Sequence, residues 1–408
     1  MGNETKIVGL DIGTTKIASI ISEIDESGQP KIIGIGTSPS EGLKRGVVIN
    51  LEKTVESIAS AVEDSEMMAG TKVTSVYAGI AGDHIHSINS RGVIAVSRSD
   101  HEITITDVEK VIEAAKTVAL PMDREIIHVL PQEFTVDDQP GIRAPIGMVG
   151  VRLETEVHIV TGAVTAAQNI YRGVKKAGLE IQDLVLQPLA SSYALLSPDE
   201  EELGVALIDL GGGTTDFAIF FDGSIRHTGV IGLGGKNVTN DIAIGLRTPV
   251  DQAEEIKKVY GSAMSSLVDS DEMIQVPSVG GGEFKQISRN VLASIIEPRM
   301  EEILSLTRQE MKKSNFFDLL TAGIVLTGGG SLMQGMVELA EKIFDVPVRT
   351  GKPKGLSGLE EITSSPIYST GVGLILYGWE QMKEGRSGGR FKTKGWFRKM
   401  KNILTQYL

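Results

Sequence analysis

A chain of 408 residues has room for roughly two to four compact units, and 41% apolar with 23% charged residues is globular composition, not that of a disordered polymer. Its formal net charge of −13 argues against a body that grips nucleic-acid phosphates, so no nucleic acid is expected as a partner. The lack of cysteine fits a reducing compartment; no window reaches the ~18 uninterrupted apolar residues of a spanning helix, and no secretory signal is expected.

Residues 6–37 read as three strands, "KIVGLDIG", "TKIASIISEI" and, after a Gly-Gln-Pro break, "KIIGIGTS". In "LEKTVESIASAVEDSEMMAG", Val55, Ile58, Ala59 and Val62 recur at helical spacing. Residues 82–161 interrupt this pattern. Their short strands ("HIHSINSRGVIAV", "GVRLETEVHIVTG") around one helix ("TDVEKVIEAAKTVA") read as an inserted α+β unit. The acidic run Asp199 to Glu202 reads as a solvated turn. Residues 204–233 then repeat the opening plan, with "GVALIDLGG", "TTDFAIFF", an Asp222-Gly223 hairpin turn and "SIRHTGVIGL". Two meanders heading two halves are the mark of a duplicated architecture with a cleft between the copies.

The remaining text is mostly helical. "DQAEEIKKVYGSA" is followed by "NVLASIIEPRMEEILSLTRQEMKK", with Val291, Ile295, Met300, Ile303, Leu304 and Met311 as its apolar positions and an interruption or kink expected near Pro298. "TAGIVLTGGGSLMQGMVELAEKIF" is strand, glycine turn and helix, with Met333, Met336, Val337, Ala340 and Phe344 on one face. Alternating strands and helices argue for an α/β fold. Residues 384–395, Gly-rich and basic, have linker composition. Residues 396–408 put Trp396, Phe397, Met400, Ile403, Leu404 and Tyr407 on one stripe and Arg398 and Lys399 among the opposite residues. Seven basic and no acidic residues lie between Arg386 and Lys401, against the sign of the body. A basic amphipathic helix with aromatics lies in an anionic membrane surface; the alternative is a helix docked on its own domain or on a partner.

The chemistry concentrates in two near-copies of one phrase, "DIGTTKIA" (Asp11 to Ala18) and "DLGGGTTDFA" (Asp209 to Ala218), the second read as carrying two extra glycines. A strand-end carboxylate followed by Gly and Thr offers a metal-anchoring oxygen, unobstructed backbone N–H groups and hydroxyl donors, a combination able to cradle phosphate. Asp11 and Asp209, facing each other, would hold Mg²⁺ through water. "TGGGS", Thr327 to Ser331, reads as leaving a strand and entering a helix, so that Gly328, Gly329, Gly330 and Ser331 aim amides and a helix dipole at the cleft; tight helix-to-sheet packing is the alternative. Glu254 and Lys257 share a helix face, either as a surface ion pair or as cleft residues. "GGKN", residues 234–237, lacks the first glycine and the Ser or Thr of a P-loop, so that motif is absent.

In order, "GLDIGTTK", "LVLQPLASSYALL", "LIDLGGGTTDFAIF", "IVLTGGGSLMQGM" and "PIYSTGVGLILYG" resemble the phosphate-1, connect-1, phosphate-2, adenosine and connect-2 signatures of the actin, sugar-kinase and heat-shock ATPase superfamily. The insert text "HVLPQEFTVDDQPGIRAPIGMVGVRLETEVHIVTG" and "RHTGVIGLGGKNVTNDIA" resemble the FtsA family of bacterial cell-division proteins, over residues 1–384 and the tail.

This resemblance implies a two-lobe actin-like, ribonuclease H-like duplicated fold. The first-lobe core is residues 1–81, 162–196 and 362–383, with an inserted subdomain at 82–161. The second-lobe core is 197–236 and 323–361, with a small subdomain at 237–322; a linker at 384–395 and a C-terminal amphipathic helix at 396–408 complete the chain. It implies ATP with Mg²⁺ between the lobes. Asp11, Gly13, Thr14, Thr15 and Lys16 would surround the phosphates with Gly211, Gly212, Gly213, Thr214, Thr215, Gly234 and Gly235. Glu254, Lys257 and Gly328 to Ser331 would lie near ribose and adenine. Gln187 stands where such proteins orient an attacking water, or else caps a helix. Hydrolysis is expected to be weak at most. The implied partners are the C-terminal tail of the tubulin-like FtsZ, with Lys285, Arg289 and Arg299 as contacts, other copies of the chain in filaments, an anionic membrane and downstream division proteins. A pilus-assembly adaptor and a small-molecule kinase of the same superfamily are the alternatives.

Overall fold

The computed structural model describes residues 5–279 and 284–386, with side chains through Lys383. Two five-stranded sheets share one strand order. In the first, the meander Lys6–Ile12, Lys16–Ile24 and Pro30–Pro39 is extended beyond its first strand by the parallel strands Ser75–Ile80 and Glu180–Leu186. In the second, the meander Val205–Leu210, Thr215–Phe221 and Ser224–Ile231 is extended by Ile324–Thr327 and Val348–Thr350 in the same way. The strands are close to continuous apolar runs, such as Ile17, Ile20 and Ile21 or Ala206, Leu207 and Ile208, because both faces of each sheet are covered.

The helices Gln187–Leu195 and Ser369–Arg386 lie between the sheets, and Ile7, Ile20, Leu195, Leu207, Phe220, Val372 and Ile375 form one core that belongs to both lobes. A Cβ on Gly373 would sit 1.9 Å from the Ala190 carbonyl oxygen, so only glycine lets these helices approach this closely. The last helix continues to Arg386, past the position where linker begins by composition. The rest of the linker and the amphipathic tail lie outside the described residues.

Residues 82–161 form a separate layer with the strand order His86–Ala95, Arg152–Ala163, Arg124–Val136, Gln139–Ile142 and one covering helix, Ile105–Ala115. Its own core contains Ile103, Val108, Val111, Ile112, Phe134 and Leu153. The small subdomain of the second lobe is built from Gly235–Leu246, Val250–Tyr260, the hairpin Met273–Val276 with Lys285–Ser288, and Arg289–Met311.

Two local expectations change. The helix Arg289–Met311 runs unbroken through Pro298: Leu292 and Ile296 before it and Met300, Ile303 and Leu304 after it are all buried in one core, and that packing outweighs one missing backbone bond. Val291 is instead exposed. The acidic run is a helix, Pro198–Leu203, capped reciprocally by Ser197 and Glu200, with Glu200 paired to Arg349 and Glu202 to Arg143.

Candidate functional site

The two Asp-led turns meet at one end of both sheets. In each, the aspartate is the last residue but one of its strand, Asp11 opposite Ala18 and Asp209 opposite Asp216. A Cβ on Gly13 would stand 2.7 Å from the Lys16 carbonyl oxygen and one on Gly211 would stand 2.9 Å from that of Thr214, so each turn needs glycine at its second position after Asp. The registers make the turns equal in length. There are no extra glycines in the second copy: Gly212 and Gly213 occupy the places of Thr14 and Thr15.

The substitution has a steric cause. Across the gap between the lobes, Gly212 faces Thr15 and Gly213 faces Thr14, and Cβ atoms there would lie 2.3 and 2.7 Å from the threonine methyl groups. Threonine on both turns would hold the lobes apart.

These turns floor a cleft of about 1170 Å³. Asp11, Gly13, Thr14, Thr15, Lys16 and Gln187 line it from the first lobe; Asp209, Gly211 to Thr215, Gly234, Gly235, Glu254, Lys257 and Gly328 to Gly330 line it from the second. Gln187 Nε2 donates to Asp11 Oδ1 at 3.1 Å, so its amide is committed to the site while its backbone opens a helix. Lys16 Nζ donates to the Ile367 carbonyl at 2.6 Å and lies 4.3 Å from the centre of the Tyr368 ring. Gly235 and Lys236 donate their backbone N–H groups to the carbonyls of Gly211 and Gly212 at 2.9 and 2.8 Å, which fastens the start of Gly235–Leu246 beneath the second turn.

Burial decides the electrostatics. It pushes the Asp11 carboxyl upward, with Lys16 partly opposing. Burial, then Asp216 and then Asp11 bring Asp209 up to about 7. Asp216, also buried, is raised to about 6 although it accepts from the Thr214 hydroxyl at 2.6 Å. Burial lowers Lys16. Three carboxyls and one ammonium therefore share a poorly hydrated place, which favours a cation in their midst. Among the described residues no cluster of three or more His, Cys, Asp or Glu forms a ready protein-only metal cage, so an ion bound here would depend on other oxygens. Farther up the cleft, burial opposes ionisation of Glu254, but Lys257 at 2.7 Å and the Thr239 hydroxyl hold it below the usual carboxylate range.

Several sequence expectations fall elsewhere. Ser331 is turned inward, its hydroxyl donating to the Gly328 carbonyl at 2.7 Å, and it does not line the cleft. The glycine run enters a single 3-10 turn, Gly329–Leu332, while the helix begins only at Met336–Phe344, so no α-helix dipole starts at these amides. Gly328 has another use: its φ is 78°, and a Cβ would lie 2.2 Å from Asp209 Oδ1. The Thr215 hydroxyl is spent on the Leu233 carbonyl at 3.0 Å. Arg289 lines the cleft and is tied to the Tyr260 carbonyl, Glu272 and Gln334 at 2.8, 2.8 and 2.5 Å. Arg299 grips both Asp241 oxygens and also pairs with Glu302. Lys285 is exposed. Two cleft residues stand outside the sequence-based site: Asp216, whose only signal is its place as the second Asp of "DLGGGTTDFA", and Lys236, which lies in the text that fails the P-loop match.

Among solved structures, the chain has the fold of a protein in the PilM–PilN type IV pilus biogenesis complex, with a TM-score of 0.67 and 17% identity over 92% of this chain and 99% of that one. MreB5 of Spiroplasma citri bound to ADP follows at 0.58 and 15%, over 94% and 99%. In sequence it is 51% identical to the cell division protein FtsA of Pseudomonas aeruginosa over 93% of this chain and 91% of that protein, and 40% identical to FtsA of Escherichia coli over 93% and 92%. The family described as "Cell division protein FtsA" matches residues 206–373, and the "SHS2 domain inserted in FTSA" matches residues 82–161. With the duplicated two-lobe fold, the paired Asp-led turns and this insertion in place, the chain belongs to the FtsA family of actin-like cell-division proteins.

Proposed function

We propose that this chain binds ATP with Mg²⁺ between its lobes, polymerises, and holds FtsZ filaments against the cytoplasmic face of the bacterial membrane at the division site. The observation that carries the nucleotide part is the interleaving of the two turns, Thr14 and Thr15 against Gly213 and Gly212, above two carboxyls near the strand ends, Asp11 buried and Asp209 half-buried. The carboxyls fit the ion: Asp11 and Asp209, each pushed toward its neutral form, are relieved by a hydrated divalent cation held through water. Mg²⁺ supplies neutralisation of phosphate charge. Lys16 adds an ammonium, the turn amides add donors, and Gln187 is placed to orient water beside Asp11. Glu254, Lys257 and Gly328 to Gly330 lie toward the ribose and adenine end. The ADP bound to MreB5, on the same fold, supports this reading.

The attachment rests on the tail. Burying Trp396, Phe397, Met400, Ile403, Leu404 and Tyr407 in a half-dry interface contributes roughly 4 to 6 kcal/mol, and Arg398 and Lys399 add about 1 kcal/mol each near anionic lipid. One tail binds weakly; a filament of many binds tightly by avidity, so attachment follows assembly. Among the described residues no helix is long and apolar enough to cross a membrane. An acidic FtsZ tail would dock on the small subdomain, where Lys285 is exposed while Arg289 and Arg299 already hold carboxylates. A pilus-assembly role on the same fold is disfavoured by sequence: identity to the pilus protein is 17%, against 51% and 40% to cell division proteins over more than nine-tenths of the chain.

The test is sedimentation with anionic and with neutral vesicles, with and without ATP, of the full chain, a chain ending at Arg386, and Trp396→Glu with Phe397→Glu. Only the full chain is expected to pellet, more with ATP and on anionic lipid, and less at high salt. Pelleting of the double variant would show the tail to be a docking helix.

A further inference from the structure

The cations around the cleft divide into two groups. Lys257, Lys258 and Arg289 are neutralised by Glu254, Glu255 and Glu272 at 2.7, 2.9 and 2.8 Å. Lys16 and Lys236 are not: among the described residues neither has a carboxylate within ion-pair distance, and each donates to a backbone carbonyl instead. Lys16 stays within the first lobe. Lys236, from the second lobe, crosses the cleft, its Nζ 2.8 Å from the carbonyl oxygen of Thr14.

The position of Lys236 is costly. It is the second residue of the helix Gly235–Leu246, where the helix dipole favours acidic side chains, and this helix has none in its first turn. The side chain remains exposed along the cleft, although partial burial lowers its pKa. Its acceptor is a neutral carbonyl on the very turn whose Thr14 side chain abuts Gly213 and accepts from the Gly46 N–H at 3.2 Å. A lysine placed against the dipole and satisfied by one neutral oxygen across a cleft lined with phosphate-type turns is matched to a more negative acceptor in that cleft.

From this geometry we propose that Lys236 is a phosphate-sensing residue reaching from the second lobe: it exchanges the Thr14 carbonyl for the terminal phosphoryl group of a nucleoside triphosphate, so that triphosphate and diphosphate hold the lobes differently. The inference deepens the nucleotide reading and rests on it. Lys16 then serves the phosphates from the first lobe and Lys236 from the second, one ammonium on each side. A diphosphate ends short of this exchange and leaves Lys236 on Thr14.

The test compares ATP and ADP affinities, with Mg²⁺ and by calorimetry, for the wild-type chain, Lys236→Met, Lys236→Gln and Lys236→Arg. Lys236→Met is expected to weaken ATP about tenfold and ADP less than threefold, the size of one charge-assisted contact. Lys236→Gln keeps a donor for Thr14 but no charge; it serves if methionine disturbs folding, and the same selective loss is expected. Lys236→Arg is expected to restore most of the ATP preference. Equal losses for ATP and ADP, or an unchanged ratio, overturn the inference and leave Lys236 as a strut between the lobes. Failure of the wild-type chain to bind either nucleotide overturns the nucleotide reading itself.

Discussion

Asp209→Asn is expected to make the nucleotide-free protein more stable above neutral pH while removing its response to nucleotide. Asp209 is the last residue but one of Val205–Leu210, opposite Asp216 and against the Gly328 backbone, and its carboxyl is raised from 3.8 to about 7. Between those values the folded protein holds a proton that the unfolded chain has released, so stability falls as pH rises through that window and is level above it. At 1.36 kcal/mol per pH unit, about three units correspond to about 4 kcal/mol. Asparagine has nearly the same shape and no charge to desolvate. Urea denaturation of both proteins in EDTA between pH 4.5 and 8.5 measures the difference: the curves should nearly coincide at the acid end and separate by a few kcal/mol at pH 8. Adding ATP and Mg²⁺ at pH 8 should stabilise the wild type and leave the variant unmoved. Parallel pH profiles would refute the reasoning, because they would mean that Asp209 is ionised at no cost in the empty fold.

Gly212→Val drives a branched side chain toward Thr15, which lies 2.3 Å from the position of a Cβ; ATP affinity by calorimetry is expected to fall at least about tenfold, and adding Thr15→Gly to recover part of it. Gln187→Ala removes the 3.1 Å bond to Asp11; phosphate release is expected to drop about tenfold while ATP affinity stays within about threefold, and equal losses in both would rule out a water-orienting role.

What was legible in the sequence was local. The two meanders, their Asp-led turns and the Asp222-Gly223 hairpin each lie within a few residues, so residue types alone identify them. The equal length of the turns was not legible, because "TTK" and "TTD" invite a match by letters, whereas strand register pairs Asp11 with Ala18 and Asp209 with Asp216 and so makes Gly212 the positional counterpart of Thr14. Ser331 was misplaced because "TGGGSLMQGM" gives no sign that a 3-10 turn intervenes before the helix. Arg299 reads as a free surface cation until the fold brings Asp241 to it, 58 residues away in sequence. Lys236 failed a motif test for one phosphate loop and yet contacts another, a relation that exists only across the cleft.

The insertion links the two lobes mechanically. Its residues interrupt the first lobe, yet its sheet is fastened to the edge strand of the second. Gln132 Nε2 donates to the Ile225 carbonyl at 2.9 Å, the Ser87 hydroxyl to the Thr228 carbonyl at 3.0 Å, and His158 Nε2 lies 2.9 Å from the Thr228 hydroxyl. Asn89 holds the other ring nitrogen of His158 at 2.7 Å, and burial lowers this imidazole to about 3, so it stays neutral and keeps both bonds throughout the physiological pH range. Gln132, His158 and Thr228 are buried, and breaking their bonds without replacement costs about 1 to 3 kcal/mol for each group left unpaired. A lobe rotation that opens the cleft must therefore either carry the insertion with the second lobe, turning it on its junctions with the first near Gly82 and Thr161, or break this buried polar seam. The insertion is also held to the first lobe: the Leu186 N–H donates to the buried His128 Nε2 at 2.9 Å, Ile85 and Val160 belong to that lobe's core, and Arg124, which donates to the Thr161 carbonyl and hydroxyl and to the His84 carbonyl, ties both junctions together. The insertion thus bridges both lobes through buried polar and apolar contacts, so a change of lobe angle in the cleft loads one of its two seams.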